Sequence, residues 1–130
     1  MGTIRVVCGV IFNEGRILLC RRKPEKSLGG YWEFPGGKIE VGETEEESLV
    51  RELQEELGIK VDIGKYFKTV VHNYDTFTIE LVAYICRSEQ SVCVLTDHDE
   101  YKWVEKSELL NWKLAAADIP IAKELCSMDV

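Results

Sequence analysis

The alternation of apolar and polar positions divides the chain into strands and helices before any side-chain chemistry is considered. Ile4 to Phe12 is dense in β-branched residues and predicts a strand. Asn13-Glu14-Gly15 predicts a turn, and Arg16 to Arg21 the returning strand. Lys23 to Gly30 holds Pro24 and Gly29-Gly30 and predicts a loop; Tyr31 to Phe34 predicts a short aromatic strand, which Pro35-Gly36-Gly37 breaks. From Thr44 to Gly58 the period becomes helical, with Leu49, Val50, Leu53 and Leu57 as one apolar stripe. Thr44 and Glu47 form a capping box at its start, Glu45, Glu46 and Glu47 suit the positive end of the helix dipole, and Gly58 fits a left-handed stop. Strand-like runs follow at Lys60 to Asn73, Thr76 to Cys86 and Tyr101 to Val104. Ser107 to Leu110 predicts a short helical turn, and Asp118 to Ser127 a second helix with Pro120 in its first turn. Strands, helix, strands, helix is the order of an α/β (α+β) fold with a mixed sheet between helices.

Composition bounds what such a fold does. The 130 residues fit one domain, 1–130, without repeats or linkers, and 45% hydrophobic residues support a real core. No apolar run reaches the ~18–20 residues of a membrane span. The first residues lack the apolar stretch of a secretory signal. The net charge of −7 argues against a nucleic-acid polymer as partner. A small anionic ligand then needs a local basic group or a metal ion as intermediary. Five cysteines, an odd number with no Cys-x-x-Cys, predict reduced, mostly buried thiols and a cytoplasmic protein.

Chemistry concentrates on the first predicted helix. Glu52, Glu55 and Glu56 stand at i, i+3 and i+4, inside an arc of about 100°. They border the apolar stripe, and Arg51 is the only cation nearby. A solvated helix face usually alternates Lys with Glu, whereas this one gathers carboxylates. Clustered carboxylates suit a hard divalent cation such as Mg²⁺, which bridges oxygen ligands to substrate phosphates. Upstream, the Gly36-Gly37 turn lets backbone approach a ligand closely.

The spacing of these parts resembles a known signature. Gly37, five residues, Glu43, seven residues, then Arg51-Glu52-Leu53-Gln54-Glu55-Glu56-Leu57-Gly58-Ile59 matches all nine defined positions of the Nudix box over 23 residues. The flanks Glu33-Phe34-Pro35-Gly36-Gly37-Lys38-Ile39-Glu40 and Ala117-Asp118-Ile119-Pro120 resemble the MutT-like subgroup, and within it the nucleoside-triphosphate and CTP pyrophosphohydrolases. The resemblance runs from about Ile4 to Leu125, and only the box is highly specific. It implies an α/β/α sandwich around a mixed sheet. It further implies hydrolysis of a nucleoside triphosphate to the monophosphate and pyrophosphate, with Mg²⁺ or Mn²⁺ as cofactor. Carried over by position, Glu52 and Glu56 are metal ligands, Glu55 a ligand or a neighbour of one, and the Gly36 carbonyl a further ligand. Arg51 orients the carboxylates and Glu43 braces the loop. Asp97-His98-Asp99-Glu100 is the expected source of a late acidic ligand, with Glu100 the choice within it. Glu52 and Glu55 remain alternatives for the base that accepts the water proton.

Substrate choice falls to other residues. By resemblance Arg22 contacts the nucleotide, and its guanidinium suits phosphate. Lys38 beside the glycine turn offers a point charge. Among the aromatics Trp32, Tyr74, Trp103 and Trp112 read as core, with Phe34 or Phe77 stacking on the base. His72 and His98 read as structural or surface residues. Asp118 reads both as a helix N-cap and, by resemblance, as the base-reading residue. An ionised Asp accepts from an exocyclic amino group, as on cytosine N4, whereas a protonated one also donates, which admits an oxidised guanine. A nucleotide is the expected partner, with no membrane, and the protein a monomer or homodimer. The alternatives are a Nudix hydrolase of ADP-ribose or another diphosphate, and a non-catalytic Nudix-fold sensor.

Overall fold

The computed structural model describes residues 2–128; residue 1 and residues 129–130, the ends of the expected 1–130 domain, lie outside the described residues. Seven strands form one mixed sheet: β1 (Thr3–Asn13), β2 (Arg16–Arg22), β3 (Trp32–Glu33), β4 (Gly36–Lys38), β5 (Asp62–Asn73), β6 (Thr78–Arg87) and β7 (His98–Val104). The order is β3-β2-β1-β6-β5, with β4 paired to β1 and β7 to β2. β1 and β6 run parallel, and every other pairing is antiparallel. Two helices, α1 (Glu45–Leu57) and α2 (Ile119–Ser127), complete the fold, with 3-10 turns at Lys106–Asn111 and Ala116–Asp118.

The period-2 alternation of the strands loads both faces of the sheet. Val7, Ile11, Leu18, Cys20, Val82 and Cys86 point to the face that receives Leu49, Leu53 and Leu57 of α1. Cys8, Val10, Ile17, Leu19, Leu81 and Ala83 point to the other face, under Ile121, Ala122 and Leu125 of α2. A strand buried on both faces is apolar throughout, which is why β1 and β2 lack a polar side. Among the described residues no helix is long and apolar enough to cross a membrane.

Local signals set the ends of α1. Thr44 Oγ1 accepts from the Glu47 amide at 3.1 Å, and the Glu47 carboxylate accepts from the Thr44 amide at 2.9 Å. Gly58 is left-handed, with φ 62°. One position of the stripe differs: Val50 is exposed, and Ser48 is buried instead. The helix lies flat on the sheet along the 49–53–57 ridge, so position 48, on the site side, turns inward and position 50 turns to water.

A second difference concerns Pro35-Gly36-Gly37, predicted as a chain break. Gly36–Lys38 is strand β4, with Gly36 opposite Cys8 and Gly37 opposite Val7. A Cβ at Gly36 would overlap the Val7 carbonyl oxygen. The glycine permits this close strand approach and does not merely loosen the chain.

Candidate active site

One pocket of about 570 Å³ lies between β4, α1 and the end of α2. Its lining includes Gly36, Gly37, Lys38, Glu40, Glu52, Glu56 and Asp97, and also Phe34, Tyr74, Phe77, Ala117 and Asp118, with Arg22, Glu33 and His98. The acidic lining comes from the strand-to-helix passage of the signature motif. A Cβ at Gly37 would overlap the Glu52 carboxylate, so the glycine makes the space that this side chain occupies.

The three helix carboxylates are not equivalent. Glu52 and Glu56, one turn apart on the same ridge, line the pocket. Glu55 is rotated to the rim, exposed, and meets Arg51 Nη1 at 3.1 Å. Arg51 is the hub of the surrounding loop. Its Nε donates to Glu43 at 2.7 Å, Nη2 to Glu43 at 3.0 Å and to the Lys38 carbonyl at 3.4 Å, and Nη1 to Glu52 at 2.9 Å. Glu43 also accepts from the buried Ser48 hydroxyl at 2.6 Å and stands outside the pocket. Bonded by Arg51 and Ser48, its carboxyl is held down to about 2.

Glu56 has the opposite environment. Burial, then the charges of Glu52 and Asp97, push it up to about 9. Its Oε1 is buried without a hydrogen-bond partner. No basic residue lies in the last turn of α1, so the negative end of the helix dipole adds to the crowding.

Of the acidic residues in 97–100, Asp97 lines the pocket and the expected Glu100 does not. Glu100 faces Arg21 at 3.3 Å and Lys102 at 3.6 Å, away from the pocket. The loop before β7 docks on the last turn of α1: Val94 N donates to the Leu57 carbonyl at 2.9 Å and Thr96 N to the Glu56 carbonyl at 3.2 Å. The next residue, Asp97, is thereby delivered to the Glu56 side chain. Nothing in the local sequence encodes that docking.

These groups fit a divalent cation. The donors are hard oxygens, one of them is a buried orphan, and Gly37 leaves space around Glu52. Among the described residues no three Asp, Glu, His or Cys side chains are already gathered as a metal cage; Glu52 Oε1 is turned onto Arg51.

Among the aromatic lining residues Phe34 is buried, and Phe77 stacks on Tyr74 with centroids 5.2 Å apart at 28°. Tyr74 is in turn fixed by the Ala117 amide, which donates to its hydroxyl at 3.1 Å. Asp118 occupies the N-cap position of α2 but makes no capping bond. Its own backbone is helical there, so the carboxyl faces the pocket. Burial and the neighbouring Glu33 push that carboxyl well above the usual range. Arg22 reaches the Ser27 carbonyl at 2.6 Å and both Glu33 oxygens at 3.3 Å. Lys38 lines the pocket with an exposed side chain. Sequence reasoning read Tyr74 as core and assigned no site role to Glu33 or Cys8, yet all three line the pocket; the motif flank Glu33-Phe34-Pro35 was the available signal for Glu33.

The NUDIX domain profile matches residues 7–124. The chain is 34% identical over 128 residues to a CTP pyrophosphohydrolase of Escherichia coli (strain K12), covering 98% of this chain and 95% of the relative. It is 35% identical over 107 residues to an 8-oxo-dGTP diphosphatase of Haemophilus influenzae, covering 82% and 79%. The fold superimposes on a crystal structure of a MutT protein from Methanosarcina mazei Go1 with a TM-score of 0.87 at 27% identity, covering 95% and 92%.

Proposed function

The chain belongs to the NUDIX domain family, hydrolases of phosphorus-containing acid anhydrides, and from that premise we propose that it cleaves a nucleoside triphosphate to the monophosphate and pyrophosphate. The observation that carries this reading is that clustered carboxylates beside a glycine turn and a group of aromatic side chains line one pocket. Glu52, Glu56, Asp97 and the Gly36 carbonyl would hold Mg²⁺ or Mn²⁺; Glu100 has no part. When bound, such an ion neutralises phosphate oxygens and lowers the pKa of coordinated water.

The chain's own residues supply the rest. Arg51, anchored by Glu43, fixes the Glu52 carboxylate in the pocket. Both candidate bases meet Arg51, and Glu52 is the better placed because it lines the pocket whereas Glu55 stands at the rim. Arg22 and Lys38 offer positive charge to the phosphates. Phe34, Phe77 and Tyr74 present apolar surface to the base.

The base reading follows from Asp118. A carboxyl that keeps its proton both donates and accepts. Cytosine offers the complementary pair, an N3 acceptor beside an N4 amino donor. An ionised Asp118 would accept from the same N4 amino group, so a cytosine nucleotide is the proposed substrate in either form, and a protonated Asp118 also admits an oxidised guanine. The whole-length similarity to a CTP pyrophosphohydrolase supports the same choice.

A turnover screen over canonical, methylated and oxidised nucleoside and deoxynucleoside triphosphates with Mg²⁺ tests both parts. Pyrophosphate release, fastest with a cytosine base, is the expected result. Orthophosphate release, or a faster rate with ADP-ribose, overturns the reading.

A further inference from the structure

His98 reads from sequence as structural. Its place in the pocket assigns it more. Three neighbouring strand ends bring Arg22 (β2), Glu33 (β3) and His98 (β7) together. The pairing of β2 with β7 runs in step up to Arg21 opposite Glu100 and then skips Asp99, so that Arg22 stands opposite His98. A bulge of this kind re-aims side chains. Asp99 turns out to Arg21, at 2.8 Å, and the His98 ring turns in.

Inside, His98 Nε2 lies 2.9 Å from Glu33 Oε2. A carboxylate only accepts, so Nε2 carries the hydrogen and donates. Glu33 accepts from Arg22 Nη1 as well, and Arg22 Nε is tied to the Ser27 carbonyl. The guanidinium is therefore held at two points, with its remaining N–H groups free to meet a ligand in the pocket that all three side chains line. His98 Nδ1 is buried with no hydrogen-bond partner. A buried polar group retained only for packing has its atoms paired; here one nitrogen is left over and the other serves Glu33.

We infer that His98 is a positioning residue for substrate binding: by donating to Glu33 it fixes the carboxylate that holds Arg22 toward the nucleotide. The inference rests on the proposed triphosphate reading. It places no chemistry on His98, which acts before the reaction, on the bound ground state. An interaction made equally in the bound and transition states changes KM and leaves kcat.

Two replacements separate the roles. In His98→Gln the amide nitrogen takes the place of Nε2 and keeps a donor; in His98→Asn the amide is too short and mimics Nδ1. The affinity of α,β-methylene CTP, a non-cleavable probe, is read by calorimetry for each variant, beside KM and kcat for CTP. His98→Asn should weaken the probe and raise KM by roughly tenfold with kcat within about twofold, and His98→Gln should recover most of the affinity. In an Arg22→Ala background, His98→Asn should add nothing, because both act on one contact. Should His98→Asn fail to fold, Glu33→Gln tests the same link from its other end, with the same loss expected.

Unchanged affinity in His98→Asn overturns the inference, as does an equal loss in His98→Gln or an effect that persists in the Arg22→Ala background. A wild-type protein that binds the probe but releases no pyrophosphate from CTP overturns the triphosphate reading and leaves the inference to be judged on affinity. A wild-type protein that does not bind the probe overturns both.

Discussion

Glu43 and Glu56 belong to one 23-residue motif, yet their environments are opposite. Glu43 accepts from Arg51 and Ser48 and is held down to about 2. Glu56 is buried beside Glu52 and Asp97, has an unpartnered oxygen, and is pushed up to about 9. The difference lies in where the cation goes. Arg51 is directed to the loop and the rim, to Glu43, Glu52 and Glu55, and no ion pair to Glu56 forms among the described residues. A protein optimised for stability alone would pair or remove such a group. The contrast teaches that the Glu43 side of the motif is internally balanced architecture, whereas the Glu56 side is left to be completed by a charge from outside.

Five changes break or sharpen that contrast. The largest effect should come from Glu56→Gln: turnover should fall about a thousandfold, since the charge stabilisation lost is worth several kcal/mol. The same change should raise the melting temperature of the metal-free protein at pH 8 by roughly 2–5 °C and not at pH 5. With the folded pKa raised, the unfolded chain loses its proton first, and stability falls as pH climbs from about 4.5 to about 9. The variant lacks that decline. Thermal melts with excess chelator at both pH values check it, and a lower melting temperature at pH 8 would count against the strained-carboxylate account.

Asp97→Asn comes next, with turnover down ~10–100-fold, against a change within about twofold for Glu100→Gln. Steady-state kinetics on the two proteins side by side decides which acid of the loop serves the site. Arg51→Lys should lower turnover about tenfold, because Lys lacks the fork that reaches Glu43 and Glu52 together. It should also remove acid resistance. Glu43 has a depressed pKa, so its contribution is present above about 4.5 and is lost as pH falls toward about 2. An acid titration followed by tryptophan fluorescence should show a shallower slope in the variant over that window. Glu55→Gln should change turnover within about threefold, because the exposed Glu55 carboxylate is screened by solvent. A loss as large as that of Glu56→Gln would return Glu55 to the reacting centre.

The chain's own order of residues determined the elements whose causes are local. The capping box at Thr44 and Glu47, the left-handed Gly58, the Asn13-Glu14-Gly15 turn and the alternation of β1 and β2 are short-range facts, and each element formed where its pattern predicted. The identity of the motif was equally legible, because its spacing is itself linear. What only the tertiary structure decided is long-range. Asp97 rather than Glu100 meets Glu56 because Thr96 is bonded to the end of α1. Val50 faces water because the sheet sets the roll of the helix. Gly36 is a strand residue because Val7 lies against it. His98 reaches Glu33 because a bulge skips Asp99, and the Asp118 carboxyl is pushed above its usual range because burial and Glu33 surround it. Spacing along a chain encodes helical faces and caps; desolvation and the meeting of distant carboxylates exist only once the sheet has brought their strands together.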